Sequence, residues 1–234
     1  YGLPFVLGMI PLVVWMVFFL LRDLKRPEPK RVLLLCFLLG VVATGITIGA
    51  NQLLESFSKV NFSHLYNIIK THDNFNAFLI AAAIEELAKF SLIFLMLRKS
   101  HHLDEAIDPM IYMIICAIGF SSVENYLSVF GQVSSIMIPL QTLTARFLGA
   151  NLLHIICSGA IGFFWSWQIK SRKKYLISIG LVLAILFHAM FNTLIFTYGA
   201  FAVALLFVGV FAGASVLLWL FDTIEDLHVK IKHN

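Results

Sequence analysis

Glu85, Glu86 and Lys89 stand together in the middle of an apolar run from Phe75 to Leu97. At ~1.5 Å per residue the run crosses a bilayer core as a helix. Each ionisable group near the midplane costs a few kcal/mol or more unless it is paired, neutralised or wetted. Lys89 follows Glu85 by four residues and Glu86 by three, so it reaches back to either carboxylate. One reading is a buried charge pair that locks helix packing. The sharper reading is a carboxylate that activates water inside the membrane.

Further polar residues fall inside other apolar runs. Glu124 and Asn125 follow Gly119-Phe120, Arg146 precedes His154 by eight residues, and His188 precedes Asn192 by four. Four residues apart on a helix is one face, so His188 and Asn192 point together, as do Phe120 and Glu124. Arg146 and His154 lie on nearly one face, and Arg146 either pairs with a carboxylate such as Glu124 or snorkels to the headgroups. Counted by depth, these groups share one slab between the midplane and one end of the spans. Carboxylates and imidazoles gathered in such a slab are the parts needed for hydrolysis.

Glu85-Glu86-x-x-Lys89, Gly119-Phe120-x-x-x-Glu124-Asn125, Arg146 followed by His154, and His188-x-x-x-Asn192 resemble, in that order, the motifs of the PrsW family of bacterial intramembrane proteases. The family is similar to the CAAX prenyl endopeptidases and to the scaffold subunit of gamma-secretase. The second motif of the CAAX enzymes ends in His where this chain has Glu124, so the carry-over reaches Glu85, His188 and Asn192. The resemblance implies first-site cleavage of a membrane-anchored anti-sigma factor, a single-pass substrate, in a stress response at the bacterial plasma membrane.

The expected chemistry has Glu85 as general base, with Glu86 sharing a proton or orienting it through Lys89. His188 and Asn192 donate to the oxyanion, on the order of 3 kcal/mol per donor. Two routes stay open. In one a carboxylate pair and a His activate water without metal. In the other Glu85 or Glu86, Glu124, His154 and His188 bind zinc, although no H-E-x-x-H helix is present. Asn125, Lys89 and Arg146 are expected to support the site.

The elements that must hold these residues are helices. Hydrophobic residues make up 60% of the chain and charged residues 13%, outside the range of soluble domains. The expected fold is an all-α polytopic membrane bundle of about seven spans, near 2–21, 32–54, 75–97, 109–130, 138–168, 175–197 and 200–221. It forms one domain over 1–234, with the catalytic motifs within 75–197. Cys36, Cys116 and Cys157 are scattered in apolar runs and read as packing residues. Gly45-x-x-x-Gly49 and Gly209-x-x-x-Gly213 predict close helix packing within the bundle, and Trp165 with Trp167 an interfacial aromatic belt. Gly159 and Gly162 leave room beside His154 for a backbone or a substrate.

Basic residues divide the connectors into two sets. Arg22, Lys25, Arg26, Lys30 and Arg31 crowd the first, Arg98 and Lys99 the third, Lys170, Arg172, Lys173 and Lys174 the fifth, and Lys230 and Lys232 the tail. The long second connector, 55–74, carries only Lys59 and Lys70, with interleaved apolar residues, and reads as an extracytoplasmic amphipathic helix at the interface. The positive-inside rule then puts the N-terminus outside and the C-terminus in the cytoplasm. The net charge of +4 sits in these loops and is no nucleic-acid footprint. Competing readings are an ion- or proton-coupled transporter, against which no inverted repeat is visible, and a non-catalytic scaffold.

Overall fold

The computed structural model describes residues 2–22, 27–58, 75–130, 137–197 and 200–232. Among these, every regular element is a helix: α1 (Gly2–Arg22), α2 (Lys30–Ser58), α3 (Phe75–Leu97), α4 (Asp108–Val129), α5 (Met137–Leu148), α6 (Ala150–Ser171), α7 (Leu176–Thr197) and α8 (Ala200–Lys232). The chain is a polytopic membrane helical bundle. Five stretches are long and apolar enough to cross a bilayer: Lys30–Leu54, Asp108–Val129, Leu140–Ser171, Leu176–Phe196 and Leu205–Ile224. α3 has the length as well, at 23 residues, but carries the three charges around which the bundle closes.

α4 and α6 form the centre. They pack on each other more extensively than any other pair, with α2 on the far side of α4 and α7 on the far side of α6. Residues Asp108 to Ser122 of α4 are buried without interruption, as are Asn151 to Gly159 of α6. A helix apolar on all faces belongs in the middle of such a bundle. α2, α7 and α8 instead turn Leu38, Val42, Leu183, Leu186, Val208 and Phe211 outward. A belt of this kind is stable against lipid tails and would aggregate in water.

Close approach of backbones sets the central spacing. A Cβ on Gly40 would overlap the Cys116 carbonyl, and one on Gly119 would overlap the Phe37 carbonyl, so α2 and α4 cross in contact. Gly162 lies against the backbone of Pro109 and Met110, so the room beside His154 is taken by α4. The paired glycines read from the sequence behave otherwise. Gly45, Gly49 and Gly209 face open space, and of the four only Gly213 meets neighbours, the side chains of Ile156 and Phe187. The expectation that both pairs pack inside the bundle is corrected: the tight crossings use isolated glycines on the buried helices.

Two other expectations change. The span foreseen at 138–168 is two helices, α5 and α6, broken at Gly149, whose ψ of −94° leaves the helical region. Hydrogen bonds from Gly149 N to Ala145 O and from Leu153 N to Gly149 O carry the chain through the bend. Trp165 is buried against Phe90 and Phe94, while Trp167 stays exposed, so only one tryptophan is placed for a belt. Cys36, Cys116 and Cys157 are free and buried, as packing residues should be. The connector at 55–74 begins inside α2, which runs on to Ser58, and its residues 59–74 lie outside the described residues.

The connectors at one end of the bundle touch. Tyr112 Oη lies 2.7 Å from both Glu28 Oε2 in the first connector and the His102 carbonyl in the third. Arg22 at the end of α1 pairs with Asp222 of α8. Among the described residues, the first connector thus meets the third through Glu28, Tyr112 and His102, and the end of α1 meets α8.

Candidate active site

Four helices and the end of a fifth deliver the polar side chains to one place. α3 supplies Glu85, Glu86 and Lys89, α4 supplies Phe120, Glu124 and Asn125, α6 supplies His154, and α7 supplies His188. Arg146 comes from the last turn of α5. The bend at Gly149 separates Arg146 from His154 and lets both turn toward Glu124.

Glu86 is the hub. Its Oε1 accepts from Lys89 Nζ at 2.7 Å and faces His188 Nδ1 at 2.9 Å, and neither Glu86 nor Lys89 is exposed at all. Of the two carboxylates within reach of Lys89, the structure pairs it with Glu86. Lys89 Nζ also lies 3.1 Å from His154 Nδ1 and 4.7 Å above the Phe120 ring. A buried cation thus meets a carboxylate, an imidazole and an aromatic face, each of which offsets part of its desolvation.

A second row of contacts fixes His154. Its Nε2 is 2.9 Å from Glu124 Oε2, which also takes Arg146 Nη2 at 2.8 Å. Arg146 Nε donates to Asn125 Oδ1 at 2.6 Å. Arg146 is therefore paired with a carboxylate instead of snorkelling. Glu124 and Arg146 keep some exposure, with side chains 25% and 21% accessible, so among the described residues this edge of the cluster is the most accessible.

Glu85 differs from its neighbour. Its Oε2 is buried with no hydrogen-bond partner among the described residues and stands 3.6 Å from His188 Nε2. His188 Nδ1 faces the Glu86 carboxylate, which only accepts, so Nδ1 carries the proton and Nε2 offers a lone pair toward Glu85. Two acceptors facing each other at that distance leave a place for a proton, a water or a cation.

The donor set fits a metal. One ligand atom each from Glu85, His154 and His188 lies within 4.8 Å of the others, and the same holds for Glu86, Cys157 and His188. Two imidazoles and a carboxylate are a catalytic zinc set. The orphaned Oε2 atoms of Glu85 and Glu86 show acceptor capacity that no donor among the described residues fills.

Not every expected residue joins the cluster. Asn192 lies one turn beyond His188 on α7 and makes no side-chain hydrogen bond to any described residue. Asn151, absent from the expected set, is fully buried one turn before His154, and both polar atoms of its amide lack partners. Its spacing of three from His154 was the signal available in the sequence.

The sequence profile described as PrsW family intramembrane metalloprotease matches residues 28–220. Protease PrsW of Clostridioides difficile (strain 630) is 26% identical over 98% of this chain and 92% of its own length. Protease PrsW of Geobacillus kaustophilus (strain HTA426) is 26% identical over 72% of this chain and 69% of its own. Protease PrsW of Bacillus subtilis (strain 168) is 25% identical over 79% of each. No solved structure matches the chain. The profile covers most of the bundle, including every helix that contributes to the cluster, and on that match the chain belongs to the PrsW family of intramembrane metalloproteases and is a peptidase embedded in the membrane.

Proposed function

We propose that the cluster hydrolyses a peptide bond of a single-pass membrane protein, close to the outer membrane surface, as the first cut in an anti-sigma factor during a bacterial stress response. The carrying observation is the unpartnered Glu85 Oε2 at 3.6 Å from His188 Nε2, inside a buried ring of Glu86, Lys89 and His154. A water held between Glu85 and His188 can give its proton to Glu85 as it attacks the scissile carbonyl. Glu85 then returns that proton to the leaving amine.

Glu86 orients this pair without facing the water itself. Its Oε1 accepts a hydrogen bond from His188 Nδ1–H, which keeps Nε2 as the acceptor nearest Glu85. Glu124 and Arg146 hold the His154 ring through Nε2. Asn192, with its amide unengaged among the described residues, is the proposed oxyanion donor from α7, and a substrate carbonyl is the partner it lacks. In the metal route Glu85, His154 and His188 would hold a zinc ion, with Glu85 then serving as a ligand in place of the free base; the ion when bound lowers the pKa of its water to about 7 and polarises the carbonyl. Burial of Glu86, Lys89, His154 and His188 keeps bulk water from them, which strengthens each of these interactions.

The proposed setting is the bacterial plasma membrane, with the N-terminus outside and the basic connectors and C-terminus in the cytoplasm. One protease domain then spans the helices, with its motifs within 75–197 and the connector at 55–74 facing outside to meet the substrate. Co-expression with a tagged single-pass substrate tests the reading. Wild type should release a fragment cut near the outer surface, and Glu85→Gln should not. Equal processing by both, or a cut on the cytoplasmic side of the substrate, overturns it.

A further inference from the structure

We infer that Lys89 is the site's resident cation and that it competes with a metal ion for Nδ1 of His154. The inference rests on the metal reading above and adds to it a residue that decides when metal binds.

An ammonium only donates hydrogen bonds. With Lys89 Nζ 3.1 Å from His154 Nδ1, that nitrogen is the acceptor and the ring proton sits on Nε2. The Nε2–H then donates to Glu124 Oε2 at 2.9 Å. Both nitrogens of His154 are engaged, and the ring has no lone pair to give. His154 is nonetheless one of the three residues whose ligand atoms converge with those of Glu85 and His188.

One of its two contacts must yield for the ring to ligate, and the two are not equally movable. Glu124 is pinned from its far side by Arg146 Nη2 at 2.8 Å, and Arg146 is pinned in turn by Asn125 at 2.6 Å. Lys89 ends a flexible four-carbon stem. The exchange therefore takes place at Nδ1, with Glu124 still holding the ring from Nε2. Charge points the same way. When Lys89 withdraws, the buried Glu86 carboxylate loses its nearest cation, and Glu86 Oε2 and Glu85 Oε2 already lack donors. A divalent ion answers that loss. The ammonium and the metal thus occupy one electrostatic place in turn, and the Lys89-bound form is the metal-free resting state.

The test uses the full chain in detergent, stripped of metal by a chelator. Zinc affinity is read by competition with a chromophoric chelator, and cobalt(II) absorption reports imidazole ligation. Lys89→Met, and Lys89→Gln as a second uncharged variant, should bind zinc at least about tenfold more tightly than wild type, the scale of a lost competing contact. Lys89→Arg, which keeps the cation, should stay within about threefold of wild type. Adding His154→Ala to Lys89→Met should erase the gain, as a double-mutant cycle requires. A Lys89 that merely supports the fold predicts the reverse: weaker zinc binding and a lower thermal midpoint together. Unchanged or weaker binding in both uncharged variants overturns the inference while leaving the metal reading intact if wild type binds. Zinc binding by no variant at all overturns both.

Discussion

His188 links the two adjacent glutamates of α3 through its two ring nitrogens: Nδ1 lies 2.9 Å from Glu86 Oε1 and Nε2 lies 3.6 Å from Glu85 Oε2. Neighbouring helix positions point about 100° apart, and one imidazole placed across that angle touches both. The carboxylates therefore have different work. Glu86 is locked in an ion pair and Glu85 is left with an unpartnered oxygen.

That difference predicts two phenotypes. Glu85→Gln should lower cleavage by about two orders of magnitude or more, the scale of a lost general base, with a thermal midpoint close to wild type. Glu86→Gln leaves Lys89 buried without its carboxylate, a loss of about 3–5 kcal/mol. Cleavage assays beside thermal unfolding in detergent separate the two, and equal stability losses would sink the assignment.

The Arg146 to Glu124 contact makes a milder prediction. Both side chains are partly exposed, so breaking the pair should cost about 1 kcal/mol of stability or less. Its effect on turnover should be larger, because Glu124 sets the orientation of His154. Arg146→Ala should reduce activity by about 10–100-fold, as losses beside metal ligands do. Arg146→Lys should recover only part of it, since a point charge cannot also reach Asn125. A fully active Arg146→Ala would show that His154 is oriented without it.

Metal removal gives the most direct check on the chemistry. Dialysis against 1,10-phenanthroline should abolish cleavage, and added zinc should restore it with about one ion bound per chain. Elemental analysis of the purified protein reads the stoichiometry. Full activity after complete removal would leave the carboxylate-and-histidine route in its place.

Packing makes a contrast within one residue type. Gly40→Ala or Gly119→Ala drives a methyl into the backbone of the crossing helix, which should destabilise by about 1–3 kcal/mol or more. Gly45→Ala and Gly209→Ala point into open space and should leave the monomer's thermal midpoint unchanged. Any stability loss in the second pair would place a partner on that face.

Glu28, in the connector between α1 and α2, supplies a pH dependence. Burial raises its pKa above the ordinary 4.5, with hydrogen bonds from Tyr112 and Asp108 opposing that shift. A carboxyl raised in the folded state stabilises fully below its unfolded pKa, and the contribution fades as pH rises through the folded value. Glu28→Gln mimics the neutral form. It should match wild type near pH 4 and gain relative stability toward pH 8. Thermal midpoints across that range test the sign.

The chemistry was legible in the residues because charge in hydrocarbon is costly enough to be informative. Glu85, Glu86, Lys89, Glu124, His154 and His188 stood out against their apolar runs, and depth counting put them in one slab. The helical class followed from composition alone, since a backbone in lipid must satisfy itself. Helix faces, by contrast, were poorly legible. α4 over Asp108–Ser122 and α6 over Asn151–Gly159 are buried on every side, so these stretches carry no amphipathic stripe to read. The glycines that matter for crossing were not the spaced pairs. Gly40 and Gly119 are set by which helices meet, and local spacing does not encode that.

What the sequence determined by itself was the inventory: an all-helical membrane chain, and the acids, bases and cation it commits to the lipid. Which carboxylate Lys89 pairs with, which oxygen is left over at Glu85, and the bend at Gly149 that turns Arg146 and His154 onto Glu124 were decided by the tertiary structure. The physical reason is range. Insertion cost and helix periodicity act within one segment, whereas hydrogen bonds of 2.7–3.1 Å between α3, α6 and α7 exist only after the segments have packed.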